Sequence, residues 1–215
     1  MIGINKRVAA YMGNSLDLDN DNREVIAYSL ELLFHTAVTI FLVMFVAWLI
    51  GPVKEAIVLL IVMFLFKSFA GGVHCSSAVR CTILSILLIP SFSQLSYVAG
   101  QHFSLSGVVV FTSFSILFSY AIVYKLAPVN LPIVSIRHKQ NRRNFSFVLL
   151  GLITLVQILL IALVPTKTAS YIVAIDISIF WQALMLTKQG HAIVNYYDKL
   201  LLYLVGKGGD KNETY

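Results

Sequence analysis

Long apolar blocks separated by short polar stretches run the length of the chain. Six of them, at 25–50, 54–67, 82–99, 105–124, 146–164 and 169–187, are long enough to cross or nearly cross a bilayer. Inside lipid a chain must satisfy its own backbone, which leaves helices as the way to bury such runs. The pattern therefore predicts an all-α, polytopic membrane protein with six transmembrane helices. The second block is short: as a helix it measures about 21 Å, against roughly 30 Å of hydrocarbon, so its flanks must extend it.

The ends read differently. Within 1–24, Ile4, Val8, Tyr11 and Met12 recur at helical spacing with Lys6 and Arg7 elsewhere, which suits an amphipathic segment on the inner surface or equally a frayed terminus. Residues 191–205 place Ile193, Tyr197, Leu201 and Leu204 on one stripe, and 206–215 read as a flexible polar tail. No apolar run of signal length occurs in the first 24 residues, so the first span is expected to direct insertion itself. A single integral membrane domain, 1–205, is the expected organisation.

Composition sharpens this picture. Apolar residues make up 58% of the 215 and charged residues 12%, with a mean hydropathy of +0.83, whereas a soluble domain is about one quarter charged. The formal charge is +6; it must collect in loops that meet the phospholipid membrane or an acidic partner. No nucleic-acid-binding motif accompanies it. With six crossings, all of the 16 Lys and Arg residues except Lys54 and Lys167 fall on one face. Positive loops stay cytoplasmic, so both ends of the chain and the loop between helices 2 and 3 are expected on the cytoplasmic side of a multi-pass cell-membrane protein.

That loop, 67–81, carries the candidate chemistry: Lys67-Ser68-Phe69-Ala70-Gly71-Gly72-Val73-His74-Cys75-Ser76-Ser77-Ala78-Val79-Arg80-Cys81. His74 and Cys81 offer a base and a nucleophile, but an unbroken helix would hold them about 10.5 Å apart along its axis. Gly71, Gly72, Ser76 and Ser77 supply the break, so a re-entrant, folded-back loop could join them. If the third helix starts near Arg80 or Cys81, its dipole and the Arg80 charge favour the Cys81 thiolate. Spacing alone leaves open a plainer reading, with Cys81 a small core residue and His74 an interfacial histidine. Cys75 is the rival thiol; next to His74 in an extended segment, its side chain points the other way. Two cysteines beside a basic loop do not look like a disulfide framework.

A basic residue, then Gly-Gly-x-His and a Cys seven positions after the His, between the second and third apolar spans, resembles the accessory gene regulator protein B family. The amphipathic, acidic approach to the first span is similar too. So is the basic stretch before the fifth, Ala127-Pro128-Val129-Asn130-Leu131-Pro132-Ile133 and Arg137-His138-Lys139-Gln140-Asn141-Arg142-Arg143. The chain departs from the family pattern at Ser68, where a second basic residue is common. The resemblance implies a cysteine endopeptidase without cofactor or metal, acting on an AgrD-like precursor peptide. Cys81 would attack a backbone carbonyl with His74 as base, releasing the precursor's C-terminal tail. A thiol of the substrate would then resolve the acyl-enzyme into a cyclic thiolactone, a quorum-sensing autoinducing peptide intermediate. A homodimer is also implied.

Other polar residues are weighed beside this. Glu31 and His35 lie one turn apart in the first span, with Glu31 about 9 Å in from Val25. Glu31 matches a polar position of the family and could orient His74, or make a structural interhelix bond. Asp176 reads as structural or as part of a dimer seam. The basic loop 125–145, with Arg137, Lys139, Arg142 and Arg143, could bind an acidic part of the precursor or rest on anionic lipid. Asp17 to Asn22 is not a calcium loop, since Asn22 stands where glycine is needed. The rival functions are a small transporter using Glu31, His35 and Asp176, for which the halves lack a repeated span pattern, and a non-catalytic peptide-binding scaffold.

Overall fold

The structure, a computed structural model, describes residues 20–73, 75–129, 136–163 and 165–205. These form seven helices: α1 (Asn20–Ile50), α2 (Val53–Ala70), α3 (Ala78–His102), α4 (Leu105–Leu126), α5 (Ile136–Leu163), α6 (Pro165–Leu184) and α7 (Lys188–Val205). They fall into two compact units, one before Val43 and one from Val43 onward. In the first unit α1 exposes Glu31, Leu32, Leu33 and Phe34 and half-buries His35. The Thr36 and Thr39 hydroxyls donate back to the Leu32 and His35 carbonyls at 2.8 and 2.9 Å, which satisfies them within the helix.

In the second unit α2, α3, α4 and α5 surround α6. The reason lies in the α6 sequence, where small and β-branched residues recur all round: Ala169, Ile172, Val173, Ala174, Ile179 and Ala183 are buried. Helix axes approach closely over such residues. One core cluster joins Phe66 of α2, Val123 of α4, Leu150 of α5 and Ile179 of α6; another joins Leu59, Ile89 and Ala174. The surface is reversed relative to a soluble protein. Phe64, Val110, Leu117 and Leu163 point outward, while Ser93, Ser115, Ser119 and Gln157 are buried. Lipid is as apolar as leucine, so helices associate through packing and hydrogen bonds.

Asp176 sits at the centre of that polar interior, fully buried. Thr112 of α4 donates to its Oδ2 and Gln157 of α5 to its Oδ1, both at 2.7 Å. Its burial places it inside the bundle and away from any outward seam, and its hydrogen bonds tie three helices together.

The chain is an all-α, multi-pass membrane protein. Four helical stretches, Ser29–Ile50, Ala78–His102, Leu105–Leu126 and Gln140–Leu163, are long and apolar enough to cross. A fifth is counted if α6 and α7, which meet at 92°, form one broken span. The apolar block 54–67 lies within α2, which has 18 residues, about 27 Å of helix, and is not among those stretches. It carries Lys54, Glu55 and Lys67, and buries Glu55 against the Ser170 hydroxyl, which donates at 2.8 Å.

The two loops 67–81 and 125–145 are shorter than expected. Helix continues through Ala70 and resumes at Ala78, so the break within 67–81 is confined to 71–77; within 125–145, α4 runs to Leu126 and α5 begins at Ile136. An apolar run measures the membrane. The helix goes on past it wherever the polar residues that follow, such as Lys67, Gln140 and Arg142, are good helix formers. α7 buries Val194 and Leu201 and leaves Tyr197 and Leu204 exposed. The residues expected as an N-terminal surface segment (1–19 of it) and as a polar tail (206–215) lie outside those described.

Candidate functional site

Helix α3 opens at Ala78 after Ser77, so Cys81 is its fourth residue and its N–H already bonds the Ser77 carbonyl at 3.0 Å. The half-buried Cys81 sulfur therefore stands in the first turn, where the helix dipole favours a negative charge. Lys67, in the last turn of α2, lies close enough for its ammonium to act on both Cys81 and Cys75. The two helix ends thus bring a cation and a thiol together.

Cys75 lies against Cys81. Hydrogen bonding to Cys81, burial, and the negative charges of Cys81 and Asp198 push the Cys75 thiol up, with Lys67 opposing them. Cys75 therefore keeps its proton, and its S–H is directed at the Cys81 sulfur. Of the two sulfurs, that of Cys81 is the one in the first turn of a helix, where the dipole favours negative charge. Neither cysteine is in a disulfide.

The segment that presents Cys75 is held on two sides. Beneath it, Val73 and Cys75 pack on Leu84 of α3, Met185 at the α6–α7 corner and Val194 of α7. That corner needs Gly190, where a Cβ would come within 2.1 Å of the Leu184 carbonyl oxygen. On the other side Gly71 forms a parallel bridge with Val129, and the Val129 N–H donates to the Ala70 carbonyl at 3.1 Å. Gly71 has φ +79° and Gly72 φ +141°, backbone conformations that glycine adopts without strain.

Arg80 is held toward α7. Its Nε donates to Asp198 Oδ1 at 2.8 Å and its Nη2 to the Ser76 hydroxyl at 2.7 Å, while Ser76 in turn donates to Asp198 Oδ2 at 2.5 Å. The guanidinium is paired with the α7 carboxylate, and Lys67 is a second cation close to the thiols. A neighbour in sequence was outcompeted by a carboxylate over a hundred residues away because the first turn of α3 faces α7.

The other expected site residues are spread more widely. His74 lies outside the described residues, as do the side chains of Arg137 and Lys139. Arg142 donates to the Ser68 carbonyl at the C-terminal end of α2, where a cation complements the helix dipole. Phe69 and Phe145 stack beside it, centroids 5.8 Å apart. Arg143 is half-buried, and its Nε has no partner among the described residues. Glu31 belongs to the first unit, on α1. Sequence reasoning missed Cys75 as the partner of Cys81, Asp198 altogether, and the contacts that Ser76 and Val129 make. The one signal available was Asp198 itself, a carboxylate at the inward spacing i+4 from Val194 and i−3 from Leu201.

Taken together, these features define a polytopic helical membrane protein with a paired-thiol site at the junction of two helices. A profile of the Accessory gene regulator B family matches residues 5–186. The chain belongs to that family. It is similar to AgrB-like protein 2 of Clostridium perfringens (strain 13), 28% identical over 208 residues that cover 91% of this chain and 95% of that one. AgrB-like protein 1 of the same strain is 31% identical over 124 residues, covering 58% and 63%. An AgrB-like protein of Halalkalibacterium halodurans is 22% identical over 196 residues, covering 91% and 89%. No solved structure matches the chain.

Proposed function

We propose that this chain is a membrane cysteine endopeptidase that removes the C-terminal tail of an AgrD-like precursor peptide and closes the remainder into a thiolactone for quorum sensing. The observation that carries the reading is the Cys81 sulfur in the first turn of α3, with the Cys75 thiol directed at it and Lys67 close by. Membership of the family supports the processing of a quorum-sensing peptide. His74 is assigned as the base from the family pattern, Gly71-Gly72-x-His with Cys81 seven positions on.

In this mechanism the Cys81 proton passes to His74, and the thiolate, solvated by the Cys75 S–H, attacks the scissile carbonyl. The tetrahedral intermediate collapses as the imidazolium gives its proton to the departing amine, and the tail leaves. Cys81 then holds the precursor as a thioester. A thiol of the precursor attacks that carbonyl and Cys81 departs as thiolate, so the peptide closes on itself with no water consumed. The apolar bed of Val73, Leu84, Met185 and Val194 under the loop favours this outcome, because water competing for the thioester must be kept away. Arg137, Lys139, Arg142 and Arg143 are read as the binding site for an acidic part of the precursor, with Gly71, Gly72 and Val129 shaping the loop and Glu31 in a supporting role. A homodimer belongs to the same reading.

The test is intact-mass analysis of the protein in nanodiscs with a candidate precursor. Wild type should give a covalent adduct and free tail; Cys81→Ala and His74→Ala should give neither. Tail release that survives Cys81→Ala would end the proposal.

The proposed topology has α1 to α6 as six crossings, both ends of the chain and the 71–77 loop cytoplasmic, and α7 along the inner surface. Its supports are the near-exclusive placement of basic residues on one face and the 92° turn into α7. Exposed Tyr196, Tyr197 and Tyr203 suit an interface. In a Cys75→Ser, Cys81→Ser background, single cysteines at Lys54 and Lys167 should react with an impermeant maleimide added outside intact cells, and one at Lys199 should not. Outside labelling at position 199 would reverse the assignment.

A further inference from the structure

We infer that Asp198 is a positioning residue for the thiol site: from α7 it pins both the Cys75 segment and the first turn of α3, and so sets Cys81 against the substrate. The inference rests on Cys81 being the nucleophile and goes beyond it to a residue near the end of the chain.

The geometry is a closed triangle. Asp198 accepts from Ser76 at Oδ2 and from Arg80 at Oδ1, and Arg80 also donates to Ser76. Ser76 follows Cys75 and Arg80 precedes Cys81, so one carboxylate fixes the residue beside each thiol. The side chains of Arg80 and Asp198 are only 10% and 14% exposed, and a bifurcated, charge-assisted arrangement of this kind holds geometry well where water is scarce. Val194 and Leu201, one turn to either side of Asp198, are buried, so packing commits that face of α7 inward. Among the described residues this is the single ion pair. It joins two segments that the chain separates by more than a hundred residues, at the loop that carries the chemistry.

Asp198 acts in a second way, by neutralising Arg80. Among the described residues, the charged and titratable groups near Cys81 are Cys75 from the loop, Lys67 from α2, Arg80 from its own helix and Asp198 from α7. With Asp198 in place the guanidinium is turned to α7. Without it, the Arg80 charge one residue from Cys81 is no longer offset by the Asp198 carboxylate and lowers the pH at which the thiol ionises, while the loop loses its anchor. Reactivity toward a small reagent and turnover of the peptide should then move in opposite directions. A substitution that only loosened the fold would not produce that split.

The experiment uses the full chain in nanodiscs, all variants in a Cys75→Ser background, so that Cys81 is the one thiol. Two readouts are taken: kcat and KM for tail release, and the pH profile of Cys81 alkylation by iodoacetamide without precursor. Asp198→Ala and the near-isosteric Asp198→Asn should each lower kcat at least about tenfold with KM within about threefold, since the nucleophile is displaced while the peptide surface remains. Both should move the alkylation midpoint to lower pH, and Asp198→Glu should recover part of kcat. A kcat within twofold of the parent, or a loss of kcat with the alkylation midpoint unmoved, would overturn the inference. Failure of the endopeptidase reading is seen separately, as tail release in Cys81→Ala or none in the parent, because alkylation needs no precursor.

Discussion

Gly71→Ala should abolish peptide processing while leaving the protein helical and inserted. At φ +79° and ψ −152° the backbone lies in a region that is essentially reserved for glycine, and an L-residue there costs about 1–3 kcal/mol. Space adds to the cost. A Cβ on Gly71 would stand 2.1 Å from the carbonyl oxygen of Val129, an approach that backbone against backbone cannot accommodate. Relief requires the bridge between the 71–77 loop and the segment after α4 to open, which swings the chain that carries Cys75 away from Cys81. A misplacement of about 1 Å at a reacting group can cost 100-fold, so tail release should fall by at least about that much. Gly72→Ala is the control. Its Cβ would meet Met185 at 3.9 Å, ordinary contact, leaving only the strain of φ +141° and a loss nearer about tenfold. Tail release in nanodiscs, with circular dichroism as a check on helicity, measures both; equal activities for the two variants would remove the Gly71–Val129 contact from the account.

The two thiols should separate sharply. Cys81→Ala should reduce adduct formation to background, whereas Cys75→Ser, which keeps a donor toward the Cys81 sulfur, should retain most activity. Cys75→Val removes the donor and keeps the apolar contacts with Val194 and Leu84. A hydrogen bond to a charged group is worth about 1.5 kcal/mol or more, so it should cost about tenfold. The same asymmetry should appear without substrate. Because Cys75 is held in its protonated form and only the thiolate is reactive, brief iodoacetamide treatment near neutral pH should mark Cys81 first. Peptide mapping by mass spectrometry reads the order, and a label found mainly on Cys75 would exchange the roles of the two residues.

How much of this was legible in the sequence depends on the range of the interaction responsible. The helices of the bundle were legible because a run such as 105–124 must satisfy its backbone locally, whatever surrounds it. Their ends were less so. Helix α2 runs on to Ala70 and α3 starts at Ala78, because polar helix formers continue a helix that the apolar pattern no longer marks. Which residues of α7 pack inward was not legible either: Val194 and Leu201 are buried while Tyr197 and Leu204 face outward. In a membrane protein apolar character does not distinguish inside from outside.

The sequence by itself determined the helical, membrane-embedded class, the family and the short segment that holds the candidate thiols, since each follows from local composition or from a motif within fifteen residues. Tertiary structure alone decided which charges reach those thiols. It paired Arg80 with Asp198, set Lys67 beside Cys81, laid Cys75 against Cys81 and brought Val129 onto Gly71. The physical reason is that electrostatic and hydrogen-bonding partners are chosen by distance in space, and the 92° corner at the end of α6 brings the last helix back to the loop where the chemistry is placed.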